Sequence, residues 1–324
     1  MNDAEAIAYL KAAARRGYKL ELERVTELTK RLGNPQTQMQ IIHISGTNGK
    51  GSVGVMHASV LHAAGYKTGL YTSPYIERFN ERMQIDGVPI PDDELAALTA
   101  EVKAVADTMD DPPTEFELVC AIAFEYYRRK QADIVVLECG MGGLMDATNI
   151  IPCPEVAVIT NIGLDHTDML GNTLPLIAGA KAGIIKRGCS TVIYRCDKEV
   201  EYVFEVTCGL MHSRLDKADF DSLHSKSISL MGQVFDHGSR KDLRLPLLGD
   251  HQLHNAAVVL TTMDALIRRG LVISEDNIRA GLENVTWPGR FDIVSRDPLF
   301  IIDGGHNPQC IDALVKNIED YLVG

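Results

Sequence analysis

The residues best suited to chemistry lie together in residues 41–52, IIHISGTNGKGS. An apolar, β-branched run stops at Gly46. Thr47, Asn48, Gly49, Lys50, Gly51 and Ser52 follow, and residues 53–61 then read as a buried helix. Strand, glycine loop and helix in that order turn backbone N–H groups and a helix N-terminus toward an anion, above all a phosphate. The glycines let the backbone approach, Lys50 reaches the terminal phosphates, and the Ser52 hydroxyl suits a magnesium ion. The match to the P-loop pattern is incomplete, because Ile44 stands five residues before Gly49, where that pattern has glycine. A tight turn is the bland alternative. Three glycines with Thr47, Lys50 and Ser52, set between a strand and a helix, favour phosphate binding.

Five further clusters stand just past the carboxyl ends of strands, where an α/β site forms. Glu138 ends the apolar run 134–138 and precedes Cys139-Gly140-Met141-Gly142-Gly143. A carboxylate there suits magnesium, directly or through water. Alone it reads equally well as a capping group at a glycine turn; opposite a phosphate loop it leans to function. His166 follows the run 156–160, and a lone histidine in a turn is more often structural. Asp165 and Asp168 beside it are placed to fix its tautomer as an outer layer of a metal site. Lys181 and Lys186 end a helix, where the dipole favours cations, and nothing more follows from them alone. Asn255 lies in a polar stretch that suits an adenine or plain helix capping. Arg290, within Trp287-Pro288-Gly289-Arg290-Phe291, and Asp303 and His306, within Asp303-Gly304-Gly305-His306-Asn307-Pro308, suit ATP phosphates and ribose.

The elements that must position these groups follow from periodicity and stop signals. Helices are expected over 3–16 and 20–32, the second closed by Gly33-Asn34-Pro35. A strand at 67–71 leads into the polar loop Thr72-Ser73-Pro74-Tyr75, and Asp86-Gly87 marks a hairpin. Asp92 or Asp93 caps a helix to about 106, and Thr114 with Glu117 forms a capping box for another to 130. The continuous apolar runs 134–138 and 156–160 fit parallel strands covered on both faces. Helices follow near 173–185, 198–212, 255–269 and 275–284, a β-like region at 218–246, a strand at 300–303 and a helix over 308–322. Alternating strands and helices predict a P-loop-type, doubly wound, mostly parallel α/β sheet with a small antiparallel β region. After residue 292 a new α/β unit begins with about thirty residues of sequence left, short of a domain's usual ~50 or more. The reading is a central domain over 1–294 and the truncated start of a second, Rossmann-like α/β domain over 295–324.

Composition narrows the function classes. The chain has 324 residues, 45% of them hydrophobic and 23% charged, and a formal net charge of −12. That balance fits a soluble globular protein and argues against a nucleic-acid or membrane-surface role. Seven scattered cysteines without a Cys-x-x-Cys spacing fit reduced thiols and a cytoplasmic setting. No apolar run is long enough to span a bilayer.

Taken in order, these segments resemble the folylpolyglutamate synthase/dihydrofolate synthase family, relatives of the Mur cell-wall ligases. The resemblance is carried by Leu32-Gly33-Asn34-Pro35-Gln36, residues 43–52, Thr72-Ser73-Pro74, Arg78-Phe79-Asn80-Glu81-Arg82 and residues 142–149. It continues through Gly163-Leu164-Asp165-His166-Thr167, residues 181–186, Leu248-Gly249-Asp250-His251-Gln252, residues 287–291 and residues 303–308. It implies an ATP-dependent amide ligase that adds L-glutamate to dihydropteroate, a reduced folate or both, through an acyl phosphate. Gly46 to Ser52 would cradle the ATP phosphates, with Lys50 on the transferred group. Ser52, Ser73 and Glu138 would hold Mg2+, His166 would belong to the metal cluster, and Lys181 matches a lysine carbamylated in the family. Asn255, Arg290, Asp303 and His306 would contact the nucleotide. Ser73, Pro74, Tyr75, Arg78 and Phe79 would lie near the pterin. The expected partners are ATP, L-glutamate and the folate, with the protein a monomer. The competing readings are a Mur-type ligase acting on a cell-wall precursor, and a nucleotide- or pterin-binding remnant without catalysis.

Overall fold

The computed structural model describes residues 1–17 and 21–323. Two helices, α1 (Asp3–Ala13) and α2 (Glu23–Arg31), precede the first strand, β1 (Gln40–Ser45). Leu20, where the second helix was expected to begin, lies outside the described residues. Then come α3 (Lys50–Ala63), β2 (Thr68–Tyr71), the hairpin β3 (Met83–Ile85) and β4 (Val88–Pro89), α4 (Asp92–Ala106), α5 (Glu115–Lys130) and β5 (Ile134–Glu138). β6 (Val156–Ile159), α6 (Thr167–Leu170), α7 (Leu174–Ala182), β7 (Ser190–Ile193), α8 (Lys198–Met211) and β8 (Arg214–Lys217) complete the main sheet. A second sheet is built from β9 (Leu223–Ser229), β10 (Gly232–His237) and β11 (Arg240–Leu245). α9 (Asp250–Arg268), α10 (Glu275–Glu283), β12 (Asp292–Arg296), β13 (Leu299–Ile302) and α11 (Pro308–Ile318) follow.

The main sheet runs β4-β3-β2-β5-β1-β6-β7-β8. The six strands from β2 to β8 are parallel, while β3 and β4 add an antiparallel edge. Successive side chains of a strand face opposite ways, and both faces are covered. Ile42, Ile44, Val136 and Val158 enter a core with Val53, Met56, Val259 and Ile278 of α3, α9 and α10. Ile41, Val135 and Leu137 enter another with Leu10, Val25, Leu98 and Phe124 of α1, α2, α4 and α5. Ala157, Ile159 and Ile193 continue that second face under α7 and α8. β1 lies between β5 and β6, so the sheet turns in opposite directions from it, and a crevice opens at its carboxyl end.

Local chemistry accounts for most of the boundaries. Asp86 and Gly87 both have positive φ (52° and 77°), the turn that a two-residue hairpin needs. Thr114 accepts from the Glu117 N–H, and Glu117 reaches back to the Thr114 N–H at 2.7 Å. Neither Asp92 nor Asp93 caps α4. Pro91 takes the cap position, and the two acids sit in the first turn, where the dipole favours them. α9 starts five residues earlier than expected, at Asp250, so the polar stretch there is helix rather than loop. β7 and β8 were not anticipated: each is four residues long, and β8 is the polar edge sequence RLDK. β12 and β13 pair antiparallel, and α11 follows them.

Candidate active site

The loop that ends β1 is shaped by contacts that exclude other side chains. Gly46 has φ 147°, and a Cβ there would fall 1.7 Å from Thr160 Oγ1. The Thr47 N–H donates to Asn161 O and the Asn48 N–H to Asn161 Oδ1, both at 2.8 Å. Thr160 Oγ1 donates to Asn48 O at 2.7 Å. Gly49 precedes α3 at φ 83°, with Asn255 Oδ1 only 2.8 Å from where its Cβ would be. Among the described residues no side chain caps α3, which leaves the first-turn N–H groups for a ligand. Ile44 is a fully buried β1 residue paired with Glu138, so the position at which the P-loop pattern has glycine lies inside the strand.

Two ammonium groups meet at one carbonyl. Lys50 Nζ donates to Gly46 O (3.2 Å) and Thr47 O (3.1 Å), and Lys181 Nζ donates to Gly46 O at 2.7 Å. Lys181 is 3% exposed. Burial, and then the Lys50 charge, bring its pKa down to about 7. Glu138, 4% exposed at the end of β5, is pushed up to about 7 by burial, against the opposing pull of Lys50 and the Ser73 N–H. Ser52 Oγ accepts from Gln252 Nε2 at 3.3 Å, and Gln252 Oε1 accepts from Asn255 Nδ2 at 3.1 Å.

On the other wall, Asp303 accepts from the Phe291 N–H (2.8 Å) and the Gly305 N–H (2.7 Å), tying the Arg290 turn to the turn before His306. His306 Nδ1 donates to Gly304 O at 2.9 Å. His166 caps α6 with φ 48°, and its Nε2 lies 3.8 Å from the Asp165 carboxylate.

A cavity of about 260 Å³ is lined by Thr47 to Ser52, Ser73, Pro74, Glu138, His166, Asn255, Arg290, Asp303 and His306. Gly46 and Lys181 are outside its lining and meet each other at the loop. The expected pterin set divides. Pro74 and Tyr75 line a second cleft with Ile76, Trp287 and Pro288. Phe79 is buried behind Tyr75, with the ring centroids 5.6 Å apart, and exposed Arg78 pairs with Asp92 at 2.7 Å. Neither Arg78 nor Phe79 lines either cavity. Sequence reasoning missed Gln252, Asn161 and a third cavity lined by Arg82, Glu115, Phe116, Met141, Met145 and Asp146. Arg82, Asp146 and Gln252 stand in segments that carry the family resemblance; Phe116 carries no signal beyond its place in the first turn of α5.

Among the described residues, no three His, Cys, Asp or Glu side chains group to hold a metal. Magnesium does not need such a cage, because it keeps waters and binds through one or two carboxylates together with substrate phosphates. The buried Glu138 carboxylate beside Ser52 and Ser73 in the lining fits that mode, and an added cation would reverse its raised pKa.

Residues 44–263 match the model of the Mur ligase middle domain. Folylpolyglutamate synthase of Lacticaseibacillus casei is 40% identical over 335 residues, which cover 99% of this chain and 78% of that protein. Dihydrofolate synthase/folylpolyglutamate synthase of Bacillus subtilis is 35% identical over 331 residues, covering 97% and 76%. A solved FPGS-AMPPCP-folate complex superposes with a TM-score of 0.93 at 38% identity, over 99% of this chain and 80% of that one. Mycobacterium tuberculosis folylpolyglutamate synthase complexed with ADP and AMPPCP gives 0.88 at 33% identity, over 98% and 74%. Relatives of this identity, aligned along nearly its whole length, show that the chain belongs to the folylpolyglutamate synthase/dihydrofolate synthase family of the Mur ligases.

Proposed function

We propose that this protein is an ATP-dependent ligase that joins the amine of L-glutamate to the carboxylate of dihydropteroate or a reduced folate. The observation that carries the reading is one crevice lined by a phosphate loop, its Lys50 and the buried Glu138 carboxylate, with Lys181 joined to the same loop at Gly46 O. A carboxylate resists amines because its charge repels the nucleophile and oxide is a poor leaving group. Its oxygen therefore attacks the γ-phosphorus of ATP, the bond to the β-γ bridging oxygen breaks, and ADP leaves. The amine then attacks the acyl carbon, phosphate departs with the transferred oxygen, and the ammonium proton is lost to solvent. The protein contributes positioning and charge neutralisation. Lys50 neutralises the transferred group, and the first-turn N–H groups of α3 hold the β- and γ-phosphates. Arg290, Asp303 and His306 hold the rest of the nucleotide with Asn255.

Ser52, Ser73 and Glu138 would hold Mg2+, with His166 nearby; the ion supplies charge stabilisation on the phosphate oxygens. A pKa near 7 leaves Lys181 a large neutral fraction, the form whose nitrogen adds to CO2 with loss of one proton. The carbamate would replace a buried cation with an anionic oxygen at the site.

The folate lies along the loop after Ser73, against Pro74 and Tyr75, with Phe79 supporting Tyr75 and Arg78 holding the loop to Asp92. A second seat for the flat ring is favoured by the third cavity, where Phe116 and two methionines accompany the buried Asp146 carboxylate. Phe116→Ala raises the KM for the pterin substrate if that seat is used, whereas Tyr75→Ala does so if the first is. Residues 1–294 act as the ATP-binding domain and 295–324 as the start of a C-terminal glutamate-ligase domain. The protein works as a cytoplasmic monomer. Incubation with ATP, Mg2+ and labelled glutamate tests the reaction: label enters dihydropteroate or a reduced folate with stoichiometric ADP. Incorporation only into a UDP-linked cell-wall precursor, or ATP binding without ADP release, would sink the proposal.

A further inference from the structure

Asn48 lies between Thr47 and Gly49 of the phosphate loop, yet protein groups engage all of its polar atoms. Its backbone N–H and C=O are held by Asn161 Oδ1 and Thr160 Oγ1. Its side-chain Oδ1 accepts from Asn307 Nδ2 at 2.8 Å and from Cys310 Sγ at 3.2 Å, and its Nδ2 donates to Gln309 Oε1 at 2.9 Å. Gln309 Oε1 also accepts from Asn161 Nδ2 at 3.4 Å. It lies so close to Gly163 that a Cβ there would be 2.4 Å from it. Thr47 in turn exchanges hydrogen bonds with both backbone groups of Gly163 at 3.1 Å. The first turn of α11 therefore touches the phosphate loop and both residues that brace it, Asn161 and Gly163.

We infer that Gln309 is a positioning residue for nucleotide binding, acting through Asn48 and Asn161, and that the Asn48 side chain seats α11 instead of touching phosphate. A phosphate loop works by holding N–H groups already aimed, and a loop that must be ordered on binding loses affinity by the cost of ordering it. Within the described residues the loop is braced from two sides: 160–163 on the sheet, and α11 across the crevice. Gln309 joins the two braces with one oxygen. This rests on the reading of residues 46–52 as a phosphate site, but not on which acceptor receives glutamate.

Calorimetric titration with AMPPCP and Mg2+ reads the loop without turnover. Gln309→Leu removes the accepting oxygen and keeps the bulk. Its Kd for AMPPCP is expected to rise roughly five- to tenfold, as for the loss of one or two hydrogen bonds, with Tm unchanged. In steady state the KM for ATP rises and the KM for the folate substrate does not. In an Asn48→Ala background, adding Gln309→Leu costs less than twofold more, because the route through Asn48 is already cut. A Gln309→Leu Kd equal to that of the parent, an additive cycle, or a fall in Tm matching the loss of affinity overturns the inference and leaves the ligase reading standing. A parent protein that takes up no AMPPCP overturns the phosphate-loop reading itself.

Discussion

The hydrogen bonds of the Lys50 side chain stay within the phosphate loop. Its ammonium hydrogen-bonds the Gly46 and Thr47 carbonyls of its own loop. Lys50→Ala is therefore expected to lower ADP formation on the order of a hundredfold or more, the scale for removing a charge-stabilising group, with Tm within a few degrees of the parent. Unchanged turnover would remove Lys50 from the mechanism. A second residue tests the core. His57 is fully buried on α3, its Nδ1 donates to Val53 O at 2.7 Å, and its Nε2 has no partner among the described residues. Burial lowers its pKa from 6.5 to about 4. The unfolded chain thus takes up the proton first, and stability present above about pH 6.5 is lost as the pH falls toward 4. His57→Leu should flatten that decline by about 1.4 kcal/mol per pH unit within the window, read from denaturant unfolding at several pH values. An unchanged slope would show that His57 takes up its proton equally in the folded and unfolded states. At this scale the sequence was legible wherever a residue type had one plausible task. Lys50, Ser52 and Glu138 arrive at one cavity as their neighbours implied. Gln252 stood in a quoted segment with no task assigned to it, because Ser52 becomes its neighbour only when α9 packs against α3.

At the scale of elements, caps and turns were the readable signals. The Thr114–Glu117 box and the Asp86-Gly87 turn form as their residues dictate. Thr114→Ala is expected to cost about 1 kcal/mol of unfolding free energy, seen in urea titration, because the α5 N-terminus loses its acceptor. A cost near zero would mean that another group takes over the cap. The central strands were legible because strands covered on both faces must be apolar throughout. β7 was missed although it is buried throughout, because half of its four residues are Ser and Thr, and β8 was missed for the opposite reason to the central strands. β8 has one covered neighbour and a polar edge, and a four-residue strand holds too few alternations to reveal a period. Pairing from β6 outward, not local pattern, makes these segments strands.

At the scale of the whole molecule, the centre of the sheet and the last unit of the chain are held differently. β1, β5 and β6 are buried along nearly their whole length, whereas α11 buries only Asn317, and Val294, Phe300, Ile311 and Val315 stay exposed. Opening free energy follows buried apolar contact. Amide hydrogens of β12, β13 and α11 are therefore expected to exchange well before those of the central strands. Equal protection in both regions would show that the last unit is locked to the sheet by more than the contacts described. The sheet order was readable in outline from the alternation of strands and helices. The seating of α11 on the phosphate loop was not, since hydrogen-bonded amides separated by 259 residues leave no periodic trace.

That seating also orders events while the protein is being made. Asn48 leaves the ribosome long before Asn307 and Gln309. At bacterial-to-eukaryotic translation speeds of ~5–20 residues per second, the interval is roughly ten to fifty seconds. β1 and the glycine loop are made at the start of that interval, the rest of the main sheet and its helices follow during it, and the last brace of the nucleotide site comes after them all. A nascent chain thus acquires its firm hold on nucleotide only once Asn307 and Gln309 have been made and α11 has folded onto the loop.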